Sequence, residues 1–191
     1  MAALLDKLGV PKNVRLFFEP YFQVLPDGSI LFPFGEDTEH FSVHFHQIPS
    51  AVIPWTAGNG PLVFISYSAM ECVAFLSIYS HAYPVFGQLQ FIAIGNYFTG
   101  LNVSASKIAM LFGRDILGRL TDIKVSTALR NKNTPIFYSG DDLFEVRGHS
   151  FSESQLTLNA FETVLGIRSG IRTLKPRGFN TFLEQLKHQN L

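Results

Sequence analysis

An α/β fold, with a parallel sheet flanked by helices behind a small antiparallel β-meander, is what this 191-residue sequence predicts. Three observations carry that expectation. After residue 60, short apolar runs alternate with helix-permissive segments, the pattern of parallel strands joined by crossover helices. Before residue 60, β-rich runs are separated by tight-turn residues instead. Between Phe41 and Ser106 the only Asp, Glu, Lys or Arg is Glu71, as expected where strands and a helix are buried on several faces.

The elements follow in order. A helix over residues 2–9 ends where Gly9 and Pro11 stop it. Two β-rich runs within residues 21–34 flank Pro26-Asp27-Gly28, where proline presets φ and glycine accepts φ > 0, so they form a hairpin. His40 to Gln47 alternates strictly and reads as a third strand, with His40, Ser42, His44 and His46 on one face. Residues 54–61, with four Gly or Pro in eight, read as a linker. Strands then fall on Leu62–Ser66, Leu89–Ile94, Lys107–Phe112, Pro135–Ser139 and Leu143–Arg147. Helices fall on Ala69–Tyr79, Leu117–Asn131, Glu153–Leu165 (N-capped by Ser152) and Asn180–Lys187. The expected organisation is a meander over 1–60, an α/β domain over 61–150 and a helical extension packed on it over 151–191.

Composition narrows the class. Hydrophobic residues at 47% and nineteen phenylalanines exclude a disordered chain. One cysteine, Cys72, excludes an internal disulfide framework and fits a reducing compartment, and the N-terminus lacks a secretion signal. The expectation is a soluble cytoplasmic protein. A membrane span is not expected, because Glu71 and several polar residues interrupt the central apolar stretch. Formal charge balances at 15 bases and 15 acids but is unevenly placed: residues 1–100 hold seven acids and three bases, residues 101–191 eight acids and twelve bases. A basic half of this kind suits a polyanion partner or a plain solvated surface.

Chemistry in open α/β sheets gathers at the carboxyl edge, where strands end and helices begin. Met70-Glu71-Cys72-Val73-Ala74-Phe75, after a buried strand, resembles the first motif of the Toprim domain of bacterial replicative primases. Ile92-Ala-Ile-Gly95 resembles its second strand. Phe112-Gly113-Arg114-Asp115-Ile116-Leu117-Gly118-Arg119 is similar to its third motif, Asp-x-Asp-x-x-Gly-Arg, and Ser29-Ile-Leu-Phe-Pro-Phe34 to the strand of the subdomain preceding it. The resemblance covers roughly residues 60–140 and implies a Toprim-like, Rossmann-type sheet. It also implies Mg²⁺ held by carboxylates, because a hard cation takes oxygen ligands and clamps phosphates. The sequence departs from the pattern: Tyr67 stands at the catalytic glutamate, Glu71 replaces the following aspartate, and Gly113 replaces the first aspartate of the third motif.

The candidate residues are therefore Asp115 and Glu71 as vestigial catalytic and metal-binding acids, and Arg114, Arg119 and Lys124 as nucleic-acid contacts. Each acid also reads as a helix-opening residue that favours the macrodipole. The resemblance implies a catalytically impaired module that binds nucleic acid or a replication or mobile-element partner. The alternative is a Mg²⁺-dependent nucleotidyl- or phosphoryl-transferase with an altered site, a reading that Asp141 or Asp142 closing on Asp115 would strengthen. His44 and His46, with His40 nearby, also have the spacing of a metal pair on one strand face. Cys72 reads as a small buried thiol. Phe179, Phe182, Leu183 and Leu186 form the apolar side of a C-terminal helix.

Overall fold

The computed structural model describes residues 3–96, 101, 103, 107–130, 132 and 134–189. Ala2 and Asn131, which belong to segments expected above, lie outside the described residues.

The chain begins with two short helices, α1 (Ala3–Lys7) and α2 (Lys12–Phe18). A four-stranded antiparallel sheet follows: β1 (Gln23–Val24), β2 (Ile30–Phe34), β3 (Asp37–Phe41) and β4 (His46–Gln47), paired in chain order. The β1–β2 hairpin turns at Pro26-Asp27-Gly28 as expected, with Asp27 accepting hydrogen bonds from the Ser29 backbone at 2.9 Å and its hydroxyl at 2.6 Å. The single strand expected over His40–Gln47 is instead a hairpin. The Ser42 hydroxyl accepts the backbone N–H groups of His44 and Phe45 and folds the chain back on itself. That turn pairs Phe41 with His46 and His40 with Gln47.

The expected linker is also corrected. Trp55–Gly58 forms β5, in which Trp55 and Ala57 point inward while Thr56 faces solvent. The Trp55 indole N–H donates to the Tyr21 carbonyl at 2.8 Å, so the Gly/Pro-rich stretch is held by one large buried side chain. Next come β6 (Leu62–Ser66), α3 (Ala69–Tyr79), β7 (Leu89–Ala93), β8 (Lys107–Met110) and α4 (Ile116–Ala128). A three-stranded antiparallel sheet, β9 (Ile136–Gly140), β10 (Leu143–Val146) and β11 (His149–Ser152), is followed by α5 (Leu158–Val164). Helix α5 starts later than expected: residues 149–152 pair as a strand, and Thr157 rather than Ser152 caps the helix, accepting from the Ala160 N–H at 3.1 Å. A short β12 (Arg172–Thr173) and α6 (Phe182–Gln189) complete the described chain.

The principal sheet runs β12-β8-β6-β7-β5. β6, β7, β8 and β12 are parallel and β5 is an antiparallel edge. The protein is thus mixed α/β, with a mixed sheet flanked by helices and two antiparallel sheets beside it. No described helix is long and apolar enough to cross a membrane. Alternation along β6 sends Phe64 to one face and Val63 and Ile65 to the other. On the first face α1, α2, α3, α6 and the meander share one core, in which Phe64 stacks on Phe91 with ring centroids 5.1 Å apart. Full burial of each such ring stabilises by roughly 1.5–3 kcal/mol. On the second face α4, α5 and the β9–β11 sheet enclose Ile65, Met110, Phe112 and Phe161.

Beyond the shared apolar core, a buried carboxylate joins the meander to the first helix of the sheet. Glu39 shares a strand face with Phe41, and its side chain is fully buried. It lies on the N-terminus of α3, accepting the Ala69 N–H at 2.7 Å, the Met70 N–H at 3.0 Å and the Ser68 hydroxyl at 2.7 Å. His46 Nε2 lies 2.8 Å from the same carboxylate. A carboxylate satisfies donors that a helix start leaves orphaned and complements the positive end of the dipole. Glu39→Ala is expected to lower unfolding free energy by about 3–5 kcal/mol in urea titrations, because it strands buried donors and the His46 imidazole.

Candidate functional site

At the carboxyl edge of the parallel strands, where the sequence places its candidate residues, the described chain packs several of its own segments against the strand ends. β6 ends at Ser66, and Tyr67 and Ser68 lead into α3, whose N-cap Ser68 accepts the Glu71 N–H at 3.2 Å. Beyond β7, Gly95 has φ +70°, and a Cβ there would lie 2.6 Å from the Pro49 carbonyl. Only glycine lets the residues after β4 pass this close. Asn96 then fixes that segment, donating from its backbone to Pro49 O and from its amide to Ile48 O, both at 2.8 Å.

Glu71 faces inward and is 3% exposed. Both its oxygens are engaged: Oε2 accepts the Phe182 N–H at 2.8 Å and Oε1 the Leu183 N–H at 3.2 Å. It therefore caps α6, a helix more than a hundred residues further along the chain. Burial raises its carboxyl to about 7, against the opposing pull of the Phe182 and Leu183 N–H groups.

Asp115 is the N-cap of α4, and its Oδ1 accepts the Gly118 N–H at 2.8 Å. Gly118 permits the tight turn, since a Cβ there would lie 2.2 Å from the Gly113 carbonyl. At Gly113 itself a Cβ would stand 3.0 Å from both the Asn180 carbonyl and Asp115 Oδ1. The position where the resemblance implies a first aspartate is therefore hemmed in by the segment leading to α6.

Tyr67 stacks on Phe112 with centroids 6.2 Å apart. Burial raises its phenol, and the charges of Glu71, Asp115, Glu184 and Glu39 raise it further. The aromatic ring and its neutral hydroxyl stand where the resemblance implies a catalytic carboxylate.

The basic candidates are drawn apart. The Arg114 N–H donates to Asn180 O at 3.0 Å and its guanidinium to Pro176 O at 3.4 Å. Arg119 turns to the β11–α5 connection, donating to Glu153 O at 2.6 Å and pairing with its carboxylate at 3.4 Å. Lys124 is exposed on α4. Asp141 and Asp142 form the β9–β10 turn with positive φ, whereas Asp115 caps α4. The histidines do not converge either: His40 bonds Ser29 Oγ at 2.9 Å, His46 shares a face with Phe41 and Glu39, and His44 is exposed on the turn between β3 and β4.

Two further groups at this edge escape sequence reasoning. Lys175 inserts its ammonium beneath the end of β8 and donates to Phe112 O at 3.0 Å, Gly113 O at 2.8 Å and Asp122 Oδ2 at 2.6 Å. Burial pushes the Asp122 carboxyl up to about 6, while Lys175 pulls it down. Fifty-three residues separate the partners, so no local spacing betrays the pair. Glu39 has a faint signal: it falls in phase with Phe41, which is buried on the same strand face.

Among the described residues, no group of three or more His, Cys, Asp or Glu side chains is placed to hold a metal ion. Mg²⁺ does not fit the acids present, since Glu71 has both oxygens on backbone N–H groups and Asp115 caps its own helix. In comparisons with protein-family models, curated proteins and solved structures, nothing matches this chain.

Two measurements check these roles. Glu71 titrates near 7 in the folded protein and near 4.5 when exposed, so the folded state binds the extra proton between those values. Stability should fall as pH rises from about 4.5 to about 7, by on the order of 3 kcal/mol, and Glu71→Gln should flatten that slope in urea titrations. Lys175→Met should cost about 3 kcal/mol by leaving Asp122 buried and unpaired, and Asp122→Asn in the same chain should recover part of the loss.

Proposed function

We propose that this chain is a Toprim-like binding module without metal-dependent catalysis, which holds nucleic acid or a replication-type partner. The observation that carries the reading is the engagement of the edge acids. Glu39, Glu71 and Asp115 each cap a helix start, leaving no convergent pair of carboxylates to clamp a phosphate-bound cation. The parallel sheet, the strand-to-helix turns at Ser66–Ala69 and Phe112–Ile116, and the order of the motif-like segments support the Toprim-like part of the reading. The excess of bases in residues 101–191, with Arg114 and Lys124 exposed, supports an anionic partner.

Titration calorimetry with Mg²⁺ and Mn²⁺ on the wild type and Asp115→Asn tests the non-catalytic part. No heat of binding is expected at tens of millimolar metal. Binding in the micromolar to low-millimolar range that is lost in Asp115→Asn would favour the Mg²⁺-dependent nucleotidyl- or phosphoryl-transferase instead. Fluorescence anisotropy with a labelled single-stranded oligonucleotide tests the partner. Binding should weaken steeply as salt rises, since each neutralised phosphate releases a counterion.

A further inference from the structure

In the sheet β11-β10-β9, strand β9 is an open edge. Its five residues, Ile136-Phe137-Tyr138-Ser139-Gly140, carry no charge, and Phe137 and Tyr138 are 60% and 63% exposed. Apart from the ladder to β10, no hydrogen bond to β9 is made among the described residues. Strand edges in monomeric proteins are protected by charges, an internal proline or a covering element, because an open row of N–H and C=O groups templates a further strand. β9 has none of these within its length, and its aromatic residues raise its strand propensity.

We infer that β9 pairs with β9 of a second copy of this chain, antiparallel across a two-fold axis at Tyr138, joining two three-stranded sheets into one of six. The sequence of the strand suits itself in this orientation. Pairing about Tyr138 sets Phe137 against Ser139 and Ile136 against Gly140, so each of these two large side chains meets a small one, while the two Tyr138 rings meet across the axis. With no charge on the strand, the two copies meet without like-charge repulsion. The same register sets the acidic turn Asp141-Asp142 of each copy beside residues 134–135 of the other, next to exposed Lys132, so the flanks are of opposite sign. A two-fold axis produces both contacts twice, as an isologous interface requires.

Sedimentation equilibrium of the full chain, from low micromolar to hundreds of micromolar, reads the association. The wild type should pass from monomer to dimer across that range. Tyr138→Lys places two ammonium groups face to face at the axis and should weaken association at least about tenfold. Its circular dichroism and melting temperature should stay close to wild type, because Tyr138 is exposed. Tyr138→Cys supplies a second readout. Antiparallel partners at the axis stand about 4.5–5.5 Å apart at Cα, within disulfide reach, so mild oxidation should yield a covalent dimer. The buried Cys72 offers no competing thiol, and Ser150→Cys on the other edge strand of that sheet should stay monomeric under the same oxidation. A wild type that remains monomeric at hundreds of micromolar overturns the proposal, and so does a dimer that Tyr138→Lys leaves intact.

Discussion

The carboxylate of Glu39 sits at the start of α3, and the arrangement of the first face of the sheet depends on that contact. It is a buried charge from an antiparallel meander placed on the first turn of a helix that belongs to the parallel sheet. Burying a carboxylate is costly, and the cost is offset only because three donors and an imidazole meet it. The geometry fixes several things together. β3 must present Glu39 inward, Ser42 must turn the chain so that His46 returns beside it, and α3 must begin at Ala69. A change in any of these leaves a charge without partners, so this contact specifies the docking of the meander more sharply than the surrounding phenylalanines do.

The same device recurs along the carboxyl edge. Glu39 caps α3, Glu71 from α3 caps α6, and Asp115 caps α4, while Lys175 fills the space beneath the end of β8. An α/β sheet ordinarily leaves a crevice at this edge for a ligand. Here the protein's own helix termini, a tethered ammonium and the residues around Pro49 and Asn180 pack at that edge. Its electrostatics are those of a structural junction: acids face backbone N–H groups, and the partly buried Lys175 ammonium faces carbonyls and a carboxylate.

Much of the framework was legible in the sequence, for physical reasons that also explain the rest. β6, α3, β7 and β8 are apolar on more than one side, so composition alone marks them. The starts of α3 and α4 fall at Ser68 and Asp115, residue types favoured at the N-cap of a helix. The errors cluster where a side chain acts at a distance. Trp55 turns a Gly/Pro-rich stretch into strand β5 by reaching Tyr21, and the Ser42 hydroxyl breaks an alternation that looked continuous. Short elements such as α2, β11 and β12 have too few residues for any period to show. Glu71 and Asp115 were recognisable as acids at helix starts, yet which helix Glu71 serves is a matter of tertiary structure. Asp122 and Lys175 find one another only after the sheet has formed.

The reach of Glu71 bears on how the protein is made. During synthesis the meander, α3 and its glutamate emerge long before α6, so the nascent chain carries a carboxylate whose partners have yet to be translated. Until then water must solvate it, and α3 cannot settle fully into its final surroundings. Parallel pairing of β12 to β8 waits on a similarly late segment, and such non-local contacts are the slow ones to form. Ribosome-bound chains arrested before residue 172 should hold the N-terminal core loosely, with their central apolar strands open to chaperones, and tighten once the closing helix leaves the tunnel.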